Sequence, residues 1–406
     1  MQTLPRPDYL RMIAPHFGKG LIKILTGVRR VGKSSMLRLL INSLKDHGVN
    51  DENILLINKE SLEWDHIQTY RDLNDEVIRY FKNAHGRCYA FIDEVQEVEQ
   101  WERCAASLIA DEVCDLTLTG SNAHLLASEL ATLLSGRYLE FKIYPLTFRE
   151  FLEFRRSRSV LGGQIDEFQL FLRYGGLPAI HSFDLSDDQV FPYLNSIYST
   201  VILKDVMMRH AVKNPGHLQR IVRFVFDNCG NVTTSKRISD YLKSQKISAS
   251  VDTVLNYLMY LEEAFLIFKV LRHDIKGMRN LELYEKYYMG DIGLRHGLIG
   301  FRDADISGVL ENIVYLELIK RGFDVKIGKL DDKEIDFIAV RGGQKIYLQV
   351  AYLLQNPETI EREFSVLEHV PDNHEKFVLT LDVHQKVSRG GIKHLNLIGF
   401  LLDDTW

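Results

Sequence analysis

Residues 21–40 read LIKILTGVRRVGKSSMLRLL, and the succession in it of strand, glycine-bounded loop and helix decides the fold. Residues 21–25 form a short apolar run, the length of one buried parallel strand. Gly27-Val28-Arg29-Arg30-Val31-Gly32-Lys33-Ser34 fits G-x-x-x-x-G-K-[ST], a loop built to cradle phosphate. Gly27 and Gly32 let the backbone curl with no Cβ in the way. The amides from Gly27 to Ser35 then point inward, and the helix behind them adds the positive end of its dipole. Lys33 brings a point charge for the β- and γ-phosphates of ATP, and Ser34 a hydroxyl for Mg²⁺. A plain glycine turn with an exposed lysine shares the spacing. The flanking strand and helix favour the phosphate loop.

The alternation of strand and helix continues downstream. Strands are expected at 53–58, 88–92, 115–119 and 139–143, with a helix over 69–84 spaced by Leu73, Val77, Tyr80 and Phe81. The run 88–92 ends in Asp93-Glu94. At the carboxyl end of a parallel strand, Asp93 is the expected metal ligand and Glu94 the expected base for the attacking water. Gly120-Ser121-Asn122 ends the next strand. Ser121 or Asn122 is placed to contact the γ-phosphate or orient water, and a helix N-cap is the competing reading. Arg137, after Gly136 and before the last strand, is a candidate arginine finger acting on a neighbouring subunit, with a solvated or ion-paired arginine as the alternative. The whole layout argues an α/β fold with an open, mostly parallel sheet covered on both faces.

Length and composition set the outer limits. A chain of 406 residues accommodates two to four domains, and 46% apolar with 26% charged residues lets each bury a core. The net charge of -5 excludes a globally basic nucleic-acid coat but not a local basic face. Cys88, Cys104, Cys114 and Cys229 are scattered, without zinc spacing, and read as reduced thiols. No apolar stretch has the length of a membrane span, so no membrane partner and a cytoplasmic location are expected.

Beyond residue 151 the pattern is helical to about 210, broken at Gly162-Gly163 and at Tyr174-Gly175-Gly176-Leu177-Pro178. Helices at 218–226, 233–242 and 250–258, then extended segments 265–271 and 282–288, give the order of a winged helix. Its third helix, the one placed for recognition, exposes Ser250, Asp252, Thr253 and Asn256 and no Lys or Arg, while Lys269, Arg272, Lys276 and Arg279 make the hairpin basic. Both double-stranded DNA and a protein partner fit such a module. In the last segment a helix bearing Glu311 and Glu317 precedes strands holding Asp336 and Gln349. Carboxylate-type oxygens so arranged hold Mg²⁺ in a restriction-endonuclease-like fold, with a lysine assisting the hydroxide. Here Ala351 stands at the lysine position, so the domain is expected to be inactive unless Lys345 or Lys333 brings in its amine.

Six segments occur in one order: GVRRVGKSS, FIDEVQ, TGSNAHLL, LSGRY, YPLTFREF and YGGLPAI. Together they resemble the bacterial and archaeal AAA-type ATPases that carry a winged helix and a nuclease-like C-terminal domain, and the likeness spans essentially the whole chain. It implies that Gly176, Leu177 and Pro178 border the adenine. The expected organisation is a P-loop ATPase core at 1–150, a helical lid at 151–212, a winged helix at 213–290 and an inactive restriction-endonuclease-like α/β domain at 291–406. The expected activity is Mg²⁺-dependent ATP hydrolysis coupled to movement of C-terminal modules that bind DNA or a partner, and a homo-oligomer is compatible with it. A nucleotide-gated binding switch and an ATP-licensed endonuclease are the alternatives.

Overall fold

Parallel strands covered by helices are buried on both faces, and five strands build the first sheet, three of them buried along their whole length. The five are β1 (Ile22–Thr26), β2 (Ile54–Asn58), β3 (Tyr89–Asp93), β4 (Asp115–Gly120) and β5 (Tyr138–Lys142). Their order is β2-β3-β4-β1-β5, and every neighbouring pair is parallel. The structure is a computed structural model that describes residues 4–123, 134, 136–383 and 388–405. The end of the TGSNAHLL segment and Ser135 of LSGRY lie outside the described residues. The chain divides into two units, one of residues 1–143 with 263–265, the other of 144–262 with 266–406.

In the first unit the helices α1 (Pro7–Ile13), α2 (Lys33–Asp46), α3 (Tyr70–Phe81) and α4 (Trp101–Ala110) accompany the sheet. Thr69 starts α3 through a capping box with Asp72, which satisfies otherwise orphaned amides. Leu73, Val77 and Phe81 from that helix pack with Leu55, Ile57, Ala90 and Ile92 of the sheet in one core cluster. Lys23 of β1 is fully buried, and its ammonium pairs with Asp115 at the start of β4.

In the second unit, α5 (Phe148–Ser157), α6 (Gln164–Tyr174) and α7 (Asp187–Thr200) come first, and α7 runs on as a π-helix over Val201–Met208. Then follow α8 (Pro215–Asp227), α9 (Ser235–Ser244) and α10 (Val251–Glu263). The strands β6 (Ile267–Asp274) and β7 (Arg279–Met289) form the expected antiparallel hairpin. After α11 (Ile292–Ile299) and α12 (Ile306–Lys320) come β8 (Asp324–Leu330), β9 (Lys333–Arg341) and β10 (Gln344–Val350). The chain closes with α13 (Pro357–Glu368), β11 (Glu375–Thr380), β12 (Lys393–Asn396) and α14 (Leu397–Leu402). The hairpin does not stand alone. It is one edge of a seven-stranded sheet in the order β12-β11-β10-β9-β8-β6-β7, joined through the parallel pair β6·β8. A two-stranded hairpin is marginal by itself, and the larger sheet supplies the missing partner.

The Gly-Gly break after α6 has a tertiary anchor within this unit. Asp291 caps α11 by accepting the Leu294 amide at 3.0 Å, and its other oxygen accepts the Gly176 amide at 2.7 Å. A Cβ at Gly293 would lie 2.1 Å from the Tyr174 carbonyl, so only glycine permits this approach. Burial pushes the Asp291 carboxyl up to about 6, against the pull of three backbone amides. A carboxyl raised in the folded state stabilises fully below its unfolded value near 4, and the contribution is lost as pH rises through about 6. The loss amounts to roughly 3 kcal/mol. The urea midpoint of the native chain therefore falls between pH 4 and pH 7 relative to Asp291→Asn. The slope of that difference is the readout, and a flat difference contradicts the burial of a titrating carboxyl here.

Candidate functional site

The parallel sheet brings three sequence-remote strand ends to one edge. Thr26 of β1 pairs in register with Gly120 of β4, and Ile92 of β3 with Leu118 of β4. The loop after β1, the acids ending β3 and the Ser-Asn after β4 therefore share the carboxyl edge of the sheet, where open α/β sheets bind ligands.

The loop has the conformation its glycines were expected to allow. Gly27 has φ 145°, Arg30 68° and Gly32 103°, all on the left-handed side. A Cβ on Gly27 would come 2.3 Å from the Ile143 carbonyl, so the tight passage under β5 excludes any other residue. Val28, Arg29, Arg30 and Val31 fill the turn, and α2 starts at Lys33, so Ser34 and Ser35 lie in its first turn. The Lys33 ammonium is buried and donates to the carbonyls of Gly27 at 2.9 Å and Val28 at 3.2 Å, which holds it in the mouth of the loop. The Arg29 guanidinium, mostly covered, reaches the Glu60 carboxylate at 3.4 Å.

Asp93 and Glu94 are both buried. The Ser34 hydroxyl bonds the Asp93 carboxyl, joining the loop to the acidic strand end. Burial pushes the Asp93 carboxyl up, while Ser34 and Thr119 pull it back by hydrogen bonding. Glu94 adopts a left-handed backbone, φ 55°, uncommon for a residue with a side chain. Its amide donates to Thr119 Oγ1 at 2.9 Å, and that same hydroxyl donates to Asp93 Oδ1. Gln96 donates its amide to Glu94 Oε2. Thr119 and Gln96 were not singled out from the sequence. The signal for Thr119 was there, in the polar Thr117 and Thr119 sharing one face of a fully buried strand. The Ser34 hydroxyl, beside the buried Asp93 carboxyl and next in sequence to Lys33, suits a divalent cation, because that cation offsets the carboxylate charge that burial otherwise disfavours.

Ser121 and Asn122 are fully buried at the end of β4, at the same edge. Arg137 lies elsewhere. Its carbonyl accepts the Ile22 amide at 2.9 Å, at the amino end of β1, so it stands at the opposite edge of the sheet. At ~3.3 Å per residue, a five-residue strand separates it from the loop of its own chain by more than an arginine's reach. Pro178 opens the 3-10 segment Pro178–Ser182 of the second unit.

Two further surfaces belong to the second unit. On α10 the residues Val251, Leu255 and Met259 are 39%, 48% and 46% exposed at i, i+4 and i+8, an apolar stripe on the helix that a winged helix would offer to DNA. In the seven-stranded sheet, Asp336 and Gln349 are brought together, Gln349 Oε1 accepting the Asp336 amide at 3.2 Å. Neither candidate lysine joins them through the bonds it makes: Lys345 pairs with Asp372 at 3.1 Å and Lys333 with Ser365 at 3.1 Å. The cation beside these acids comes from β7 instead. Lys286 lies 2.7 Å from Glu334, 3.1 Å from Glu311 and 4.0 Å from Asp336. Burial, then the Glu311 charge, pushes the Asp336 carboxyl well above its ordinary range.

Among known proteins, residues 19–152 match a family described as an AAA domain, and residues 165–305 one described as a domain of unknown function. An uncharacterized protein of Haemophilus influenzae is 36% identical over 401 residues, which is 98% of this chain and 98% of that protein. One from Methanocaldococcus jannaschii is 30% identical over 361 residues, 86% of this chain and 78% of its own. The Walker-type ATPase of Pyrococcus abyssi has the same fold at a TM-score of 0.51 and 15% identity, covering 73% of this chain and 95% of that one. No described helix is long and apolar enough to cross a membrane.

Proposed function

Since the chain belongs to one family with the Haemophilus influenzae and Methanocaldococcus jannaschii proteins and carries an AAA-type P-loop ATPase domain, we propose that it binds and hydrolyses ATP with Mg²⁺ and couples the nucleotide state to its C-terminal modules. The observation that carries this reading is the single carboxyl edge holding Lys33, Ser34, Asp93 and Glu94, with Ser34 bonded to Asp93. In this reading the loop amides and Lys33 take the β- and γ-phosphates. Ser34 and Asp93 hold Mg²⁺, which when bound neutralises charge on the phosphate oxygens. Glu94 accepts the proton of the attacking water, with Gln96 and Thr119 fixing its carboxylate and backbone. Asn122 or Ser121 orients the γ-phosphate side. Arg137, being on the far edge, serves the nucleotide of a second copy, which makes a homo-oligomer the working form.

The output surface is better suited to a protein than to DNA. The apolar stripe Val251, Leu255, Met259 favours this, since phosphate contacts need cations and α10 carries none. A DNA duplex read through the basic hairpin is the second reading.

The test is steady-state phosphate release with ATP and Mg²⁺, with and without duplex DNA, for the native chain and for Lys33→Ala. The expected result is release that Lys33→Ala abolishes, an ATP Kd raised roughly 10- to 100-fold by loss of a charged hydrogen bond, and no response to DNA. Stimulation by DNA selects the second reading. Native ATP affinity in Lys33→Ala sinks the assignment of the loop.

A further inference from the structure

Three acids, two from the seven-stranded sheet and one from the helix α12, converge on an ammonium that the sequence spacing gave no reason to place there. Glu311 comes from α12, and Glu334 and Asp336 from β9. Lys286 arrives from β7, twenty-five residues before Glu311, and its side chain is 4% exposed. The acids are also held by groups other than the lysine. The Tyr288 hydroxyl donates to Glu311 Oε2 at 3.0 Å. Asp336 Oδ2 accepts the Val350 amide at 2.8 Å, while Asp336 Oδ1 is the oxygen that faces Lys286. Gln349 Oε1 lies beside Asp336 and accepts its backbone amide at 3.2 Å.

Carboxylate oxygens from a helix and a strand are hard donors of the type Mg²⁺ or Mn²⁺ takes, yet among the described residues no three acids stand as a metal-holding group. We propose that the Lys286 ammonium is the resident cation of this set, so that the native chain binds no divalent ion there, and that removing the ammonium turns the cluster into a divalent-cation site. The absence of lysine at 351 then has a structural counterpart. A positive charge is present, but it is locked between the carboxylates of Glu311, Glu334 and Asp336 and is not free to activate water. The same contact ties the hairpin β6–β7 to α12 and β9, which fixes the hairpin against the C-terminal strands.

Lys286→Met keeps the alkyl stem and deletes the charge. Thermal unfolding without nucleotide compares native, Lys286→Met and Lys286→Met/Asp336→Asn chains, each in chelator and in millimolar Mn²⁺. The native Tm is expected to shift by about 1 °C or less with Mn²⁺. Lys286→Met is expected to melt roughly 10 °C lower in chelator, as when a buried pair is broken, and to recover at least half of that with Mn²⁺. The double variant, lacking an acid of the set, does not recover. A Lys286→Met chain as stable as native in chelator, or one that Mn²⁺ fails to restore, overturns the proposal. Should Lys286→Met not fold, Mn²⁺ binding to the native and Asp336→Asn chains, counted by electron paramagnetic resonance, decides the matter. Equal numbers of bound ions support a lysine-filled site, and one ion lost in Asp336→Asn overturns it.

Discussion

In Glu94→Gln, steady-state phosphate release falls by roughly 10²- to 10⁴-fold, the range removed with a general base, while ATP remains bound. Glutamine has the size of glutamate, and its carbonyl oxygen still accepts from Gln96, which donates to the native Oε2. The backbone is untouched, because the Glu94 amide is held by Thr119 Oγ1 at 2.9 Å and its left-handed conformation does not depend on the carboxylate. The variant therefore loses proton acceptance and little else. The discriminating measurement is the split between kcat and the ATP Kd. A collapse of kcat with Kd within about threefold is expected for a residue acting in the chemical step. An unchanged kcat removes Glu94 from the mechanism, and a Kd that rises in parallel makes it a binding group. Thr119→Val acts one step further back. It deletes the hydroxyl that donates to Asp93 and accepts from Glu94.

Asp115→Ala is expected to destabilise the first unit by about 3–5 kcal/mol, the cost of leaving one member of a buried ion pair alone. Lys23 has no exposed surface. Burial already lowers its pKa, opposed chiefly by the Asp115 charge, so without Asp115 the ammonium must deprotonate or the strand must open. Its remaining neighbours, the Leu21 carbonyl at 2.9 Å and the Phe17 ring at 5.1 Å, do not replace a carboxylate. The double variant Lys23→Met/Asp115→Ala removes the uncompensated charge and recovers most of the loss. A remainder of about 1 kcal/mol persists because Asp115 Oδ2 also accepts the Gly18 amide at 2.6 Å. Urea unfolding of the single and double variants reads this directly. A double variant no more stable than Asp115→Ala means that the charge of Lys23 is not what makes the single change costly.

The two expectations draw on different kinds of information. Residues 27–34 are contiguous, and the strand before them and helix after them are local structures, so the loop's glycines, Lys33 and Ser34 were legible in order and spacing alone. Asp93-Glu94 was legible for the same reason, as acids closing an apolar run. The carboxyl-edge rule for parallel strands then says that such ends meet, without saying which strands are neighbours.

Sheet order and register decided the rest. Thr119 bridges Asp93 and Glu94 only because β4 lies beside β3, and Lys23 meets Asp115 only because β1 lies on the other side of β4. Arg137 stands at the edge opposite the loop because β5 pairs in parallel with β1, starting at Ile22. Lys286 reaches Glu311 and Glu334 because the hairpin joins the C-terminal strands in one sheet, a partnership that no local pattern encodes. Backbone conformation and strand ends follow from short-range sterics and burial, and those are written in consecutive residues. The pairing of charges and hydroxyls far apart in the chain is set by which strands lie side by side, and the free energy that selects that order belongs to the packed sheet as a whole.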